Sequence, residues 1–220
     1  MSGKALTWDE SGTRLYETGI SKGVLYKLSN AAYPKGVAWP GLTKVTESPE
    51  GAEPTALYAD NIKYLNILSA EEFKATIEAY MAPPEFAECD GSATLVKGVT
   101  IGQQDHAIFG LCYRTEIGND TDGTDHGYKI HIIYGAQATP SEKDYNTIND
   151  NPEAITFSWE VNTTPVKVTG FKPTASLVIN STEVDPSKLK ELEDILYGSE
   201  TADARLPLPD EIKTLIGEAA

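Results

Sequence analysis

The densest run of chemically capable side chains is "GNDTDGTDHGYKIHIIYG", residues 118–135. Asp120, Asp122 and Asp125 crowd around Gly123, and His126 follows at once. Clustered carboxylates suit a hard cation such as calcium, and they make these three aspartates a weak candidate metal site. A helix–loop–helix calcium loop needs Gly at its sixth position and a bidentate Glu at its twelfth. Counted from Asp120, Gly123 is fourth and His131 is twelfth, so that pattern fails. Both flanks alternate like strands, and the run reads best as a solvated hairpin tip rich in turn formers.

Other chemistries find less support. Only His106, His126 and His131 could serve zinc, and the last two are five apart on one expected strand, so they point to opposite faces. Cys112 has the parity opposite to Phe109, Leu111 and Tyr113 and reads as a small core filler. Asp105-His106 resembles an acid–base dyad, yet no nucleophile can be placed beside it. The chain contains no nucleophile elbow, phosphate loop or dinucleotide fingerprint. Carboxylates are too numerous for any glycosidase-like pair to carry weight. Trp8, Trp39 and Trp159, with 11 tyrosines, could furnish a sugar platform. Trp159 reads as core by its alternation. Trp39 lies in the Pro/Gly loop "YPKGVAWPG", where an exposed aromatic marks an interface or a loop anchor. The expectation is a structural or binding protein, not an enzyme, with no cofactor.

The elements that position these residues are mostly strands. "KGVLYKL" (22–28) and "LTKVTES" (42–48) read as short strands, "ESPEGAEP" (47–54) as a loop, and "TALYADNIKYLNIL" (55–68) as further strand. Ser69-Ala70-Glu71-Glu72 has the form of a helix capping box. Phe73, Ile77, Tyr80 and Met81 follow at helical spacing before Pro83-Pro84, so a helix is expected near 69–81. Residues 107–117 place Phe109, Leu111, Tyr113 and Ile117 on one strand face, and 127–135 do the same for Ile130, Ile132 and Tyr134. "ITFSWEVN" (155–162) alternates throughout; with "PVKVTGF" (165–171) and "TASLVIN" (174–180) it suggests a three-strand meander.

Beyond residue 183 the pattern turns helical. Asp185 caps, Pro186 takes the first turn, Leu189, Leu192, Ile195 and Leu196 form a stripe, and Gly198 stops it. A second short helix is expected from Pro209, with Ile212, Leu215 and Ile216 seeking cover. The expected fold is mainly β: an antiparallel β-sandwich or barrel over 1–183 with one packed α-helix, plus a helical C-terminal arm over 184–220 that packs on the same domain or on a neighbour.

Composition narrows the partners. The 220 residues include 18 basic and 33 acidic side chains, for a net charge of −15. No basic stripe suited to phosphate gripping exists, so specific nucleic-acid binding is not expected. No apolar run reaches transmembrane length, and "MSGKALTWDESGTRLYETG" has no secretory h-region. Cys89 and Cys112 alone do not make a disulfide framework.

Six segments, "RLYETGISKGVLY" (14–26), "SPEGAEPTALYADN" (48–61), "SAEEFKATIEAY" (69–80), "FGLCYRTEIGND…GYKIHIIYG" (109–135), "ITFSWEV" (155–161) and "LYGSETADARLPLPDEI" (196–212), carry a resemblance over nearly the whole length. Together, in this order, they resemble the major tail protein family of long-tailed phages of Gram-positive bacteria. That resemblance implies a virion structural protein, made in the host cytoplasm, whose copies join sheets edge to edge into hexameric rings. The rings stack into a tail tube around a tape-measure protein, between tail-tip and tail-terminator proteins, and DNA passes through without specific binding. A carboxylate-lined lumen would repel phosphate, which fits the charge. On this reading the inter-subunit candidates are Tyr33 and Trp39 in the 31–41 loop; Glu47, Glu50, Leu57, Tyr58, Asp60 and Asn61 around the 46–61 loop; and Arg205 in the arm. The competing class is a monomeric carbohydrate- or calcium-binding β-sandwich module.

Overall fold

The longest apolar runs of the chain sit in two neighbouring strands, and their burial on both faces organises everything else. The computed structural model describes residues 5–8, 10–148, 150 and 153–217. Its strands are β1 (Tyr16–Lys27), β2 (Gly36–Ala38), β3 (Leu42–Glu47), β4 (Glu50–Gly51), β5 (Pro54–Ala59), β6 (Ile62–Leu68) and β7 (Glu71–Glu72). There follow β8 (Lys74–Ala79), β9 (Ala93–Val96), β10 (Val99–Ile101), β11 (Phe109–Asn119), β12 (Gly123–Ala138), β13 (Phe157–Thr163) and β14 (Ser176–Asn180). A 3₁₀ turn spans Pro84–Glu88, and helices α1 (Pro186–Tyr197) and α2 (Pro209–Ile216) close the chain.

All pairing is antiparallel. The main sheet runs β2-β1-β11-β12-β13-β8-β3, with β14 added to β12. Its two ends meet: a Cβ on Gly23 of β1 would stand 2.3 Å from Leu42 Cδ1 of β3. The sheet therefore curls into a barrel-like sandwich, as expected for a mainly β chain.

Alternation sorts the side chains into two cores. Phe109, Leu111, Tyr113, Ile133, Ile77 and Trp159 fill the inside of the curl. Val24, Tyr26, Cys112, Ile130, Ile132 and Tyr134 point the other way and are covered by Leu189, Leu192 and Leu196 of α1 and Ile212 of α2. The C-terminal arm thus lies on its own sheet. Tyr26 Oη donates to the Leu196 carbonyl (2.6 Å) and Tyr134 Oη to that of Pro207 (2.8 Å), so the buried hydroxyls that face the arm are satisfied by it. Helix α1 starts as its sequence demands, with Asp185 accepting from the N–H groups of Ser187 and Lys188.

Two expectations are corrected. The helix near 69–81 is not formed; the stretch is β7 and β8. It carries two periods at once, and the period of two wins because Ala75, Ile77 and Ala79 all enter the core while β8 bonds to β3 on one side and β13 on the other. The helical stripe would have kept Tyr80 and Met81 in contact, and both are exposed. The packed helix is α1, inside the arm. The meander also fails: 165–171 forms only an isolated bridge, Val166 with Thr174. Pro165 and Pro173 lack donors, and the chain turns at Gly170 (φ +85°). Strand β14 pairs with β12 and not with β13.

Candidate interaction surface

Asp60-Asn61 is the local signal that builds the most exposed element. Both residues have positive φ (51° and 64°), the conformation of a tight two-residue hairpin turn, which Asn and Asp tolerate. The turn joins β5 to β6 as a separate two-stranded sheet. Among the described residues no core lies under it. Tyr58 is 72% exposed and Tyr64 69%, with Ile62, Ile67 and Leu68 also more than half exposed. The hairpin is anchored at its base, by the β4–β7 pair, by the bonds from Ala52 N–H to the Ala70 carbonyl and from Ser69 N–H to the Glu53 carbonyl, and by the Lys74–Glu50 ion pair (2.6 Å). A lone hairpin with apolar side chains on both faces is not stable by itself, and such a patch marks an interaction site. A smaller hairpin, β9–β10, turns at Lys97-Gly98 and exposes Leu95, Val96 and Val99. Both of its strands are short and only partly alternating, so its sequence carries no clear strand signal.

The expected contact residues divide. Leu57, Tyr58, Asp60 and Asn61 lie on the exposed hairpin, and Glu50 lies at its base. Tyr33 and Trp39 do not form a surface: each is 2% exposed. Trp39 sits on Phe86 (ring centroids 4.6 Å) and donates through Nε1 to the Met81 carbonyl. Tyr33 Oη accepts from the Gly135 N–H (2.9 Å). Proline and glycine around these aromatics turn the loop inward and not outward. Arg205 pairs with Glu211 within the arm, while its N–H donates to the Ile195 carbonyl.

Glu47 belongs to a half-buried network. It accepts from Tyr113 Oη (2.6 Å), and its Oε1 is 3.7 Å from His131 Nδ1. His131 Nε2 lies 3.0 Å from Thr115 Oγ1 and 3.3 Å from Glu17 Oε1, and Lys129 donates to the other Glu17 oxygen. The Glu47 carboxyl is held below its ordinary value by His131 first and by the Tyr113 hydroxyl after it.

The aspartate run is a hairpin tip. Buried Asn119 organises it: Oδ1 accepts from the N–H groups of Thr121 and Asp122, and Nδ2 donates to Asp122 Oδ2. Asp120 accepts from the Gly12 N–H, and His126 Nδ1 is 3.4 Å from Asp122 Oδ2. Among the described residues no group of three or more His, Cys, Asp or Glu side chains could hold a metal ion. His106 lies against the Cys89 carbonyl (3.1 Å). Both thiols are free and buried, and burial pushes each up to about 12, so neither is poised as a nucleophile.

A scan against protein-family models and a search of curated proteins each find no match for this chain.

Proposed function

We propose that this chain is a self-assembling structural subunit, and specifically a tail-tube protein of a long-tailed phage. In this reading its copies close into hexameric rings that stack into a conduit for DNA. The observation that carries the proposal is the β5–β6 hairpin, an apolar arm with no core beneath it on an otherwise well-packed barrel. Such an arm is a liability for a monomer and a connector for a polymer. The net charge of −15 supports a lumen that repels phosphate. The resemblance in sequence order supplies the tube, the tape-measure partner and the virion location. The reading as a monomeric sugar-binding module loses two of its three tryptophans, because Trp39 and Trp159 are core residues, and keeps only Trp8, which is 78% exposed.

The test is negative-stain electron microscopy over a concentration series, paired with light scattering. Rings or hollow tubes that grow with concentration support the proposal. A monomer at every concentration, both alone and with candidate tape-measure and tail-tip proteins, overturns it.

A further inference from the structure

Strand β14 is bonded on one side only. It pairs with β12, and no strand among the described residues pairs with its other edge. Ser181 N–H bonds to the Tyr128 carbonyl and Tyr134 N–H to the Ala175 carbonyl, so the odd-numbered residues between them spend their backbone groups on β12. The even-numbered residues turn theirs outward. Thr174 Oγ1 answers both groups of Ser176, and the Glu183 N–H answers the Asn180 carbonyl. Val178, between them, has no such local partner among the described residues, and its side chain is 50% exposed.

This edge opens onto a groove of about 570 Å³ whose far wall is Pro209, Ile212 and Ile216 of α2. The groove is mostly apolar between its ends, and the ends differ in charge. Ahead of β14, Lys172 has no carboxylate partner among the described residues, and Lys213 lies over the Phe171 ring (5.3 Å to its centroid). Asp210, the acid one turn before Lys213, is held by the N–H and hydroxyl of Thr169. Beyond β14 stands Glu183, with one oxygen accepting from Asn180 Nδ2 (2.8 Å) and the other without a partner among the described residues. Lys188, which reaches that end from α1, is spent on the Ile216 and Gly217 carbonyls.

We infer that this groove captures the extended C-terminal segment of another protein. An open strand edge facing a helix across an apolar trough takes up a peptide by strand addition. Both neighbours of β12 pair with it antiparallel, and the same sense of addition to β14 sets the peptide's direction. Its last residue then falls at Lys172 and Lys213, which suit a terminal carboxylate, and its first at Glu183, which suits a lysine or arginine. β14 has five residues, so five residues of peptide span the groove, basic at the start, free carboxylate at the end. Apolar side chains between them enter the trough toward Ile212 and Ile216. The opposite signs of the two ends select a peptide over a fatty acid, which would leave Glu183 and the outward backbone groups of Val178 unanswered. One copy of the chain holds the whole site, so the inference goes beyond the self-assembly proposed above and does not depend on it.

The test is fluorescence anisotropy of dilute full-length chain with labelled pentapeptides Lys-Thr-Φ-Thr-Φ, where each Φ is Val, Ile, Leu or Phe in every combination and the carboxylate is free. At least one is expected to bind with a dissociation constant below about 100 μM. Amidating its C-terminus should weaken it at least about tenfold, and so should Lys172→Glu/Lys213→Glu in the chain. Both lysines are exposed, so the double variant should keep its thermal midpoint. N-methylation along the peptide should weaken binding at every second residue, as a strand edge requires. No binding below about 1 mM by any of the peptides overturns the inference. Binding that ignores both amidation and the lysine variant overturns it too, as does an N-methyl series without alternation. None of these outcomes bears on self-assembly, which the concentration series tests alone.

Discussion

Tyr113 and His131 stack across β11 and β12, with ring centroids 4.8 Å apart and planes 3° from parallel. Each aromatic holds an acid from a strand of the seam where the curled sheet meets itself. Tyr113 holds Glu47 of β3, and His131 lies against Glu17 of β1. No backbone ladder joins β1 to β3 among the described residues, so this side-chain cluster supplies polar contacts across the seam.

The seam predicts a pH dependence. Burial works against ionisation of Glu17, but hydrogen bonds from Lys129 and Thr115 outweigh it and lower its pKa. Glu47 is lowered by His131 and then Tyr113. A depressed folded-state value means that the stabilisation is complete above the ordinary value of 4.5 and is lost as pH falls through the lower folded values. The urea midpoint should hold steady from neutral pH to just above 4.5 and drop below it. Glu47→Gln should make that acid limb shallower. An unchanged acid limb in the variant would remove Glu47 from the seam.

Trp39 is predicted to matter for folding and not for contact between copies. Its ring packs on Phe86 and Trp159, and its Nε1 is satisfied by Met81. Trp39→Ala should cost about 3–5 kcal/mol in urea unfolding of dilute monomer. A loss below about 1 kcal/mol would return this residue to the surface.

Much of this architecture was legible where one period dominates. β11 and β12 up to Tyr134 alternate, sending Phe109, Leu111, Tyr113 and Ile133 to one core and Cys112, Ile130, Ile132 and Tyr134 to the other, while β13 sends Trp159 and Val161 to the first core and its other face to solvent. Helix α1 was legible from Asp185, Pro186 and the leucine stripe, because local rules and tertiary packing agree there. Strand β8 was not legible. Its capping box and helical stripe are genuine local signals, and only the neighbours β3 and β13, distant in sequence, decide against them. Trp39 was misplaced because Pro and Gly mark a turn without saying which way its side chain points. The groove between β14 and Pro209, Ile212 and Ile216 of α2 had no signal at all, since its walls come from residues about thirty positions apart. The hairpin was half legible: 55–68 reads as apolar strand, but the break at Asp60-Asn61 and the lack of a core beneath it come from the fold.

Gly135 explains how one strand serves two neighbours. β12 pairs with β14 over Lys129–Ile133 and with β13 over Ala136–Ala138, and the changeover falls at Gly135 with φ +59°. A Cβ there would stand 2.1 Å from the Thr164 carbonyl oxygen. Gly135→Ala therefore adds left-handed strain of about 1–2 kcal/mol to a backbone clash. Its thermal midpoint should fall well below that of Gly123→Ala, where φ is +61° and no atom lies within 4 Å. Equal midpoints would show that the changeover tolerates a side chain.

The aspartate tip is predicted to be indifferent to calcium. The Asp120 carboxylate is already engaged by Gly12, and that of Asp122 by Asn119 and His126. Millimolar calcium should move the thermal midpoint by less than about 1 °C, since only a ligand that binds the folded state shifts it. Asn119→Ala should destabilise by about 2 kcal/mol by orphaning two backbone donors. A calcium-dependent rise that Asp120→Ala, Asp122→Ala and Asp125→Ala abolish would instead make the tip a metal site.

The β5–β6 hairpin should separate assembly from stability. Tyr58 and Tyr64 are 72% and 69% exposed, so replacing both with lysine removes no core contact. Unfolding of dilute Tyr58→Lys/Tyr64→Lys protein should match the unsubstituted chain to within about 0.5 kcal/mol. If the unsubstituted chain assembles as proposed, the variant's assembly should fail by light scattering at the same concentrations, because each lysine must shed water to enter an apolar contact. The two readouts must diverge for the hairpin to be a connector. A joint fall would make it part of the fold, and no change in either would move the contact to β9–β10, the other hairpin with exposed apolar side chains.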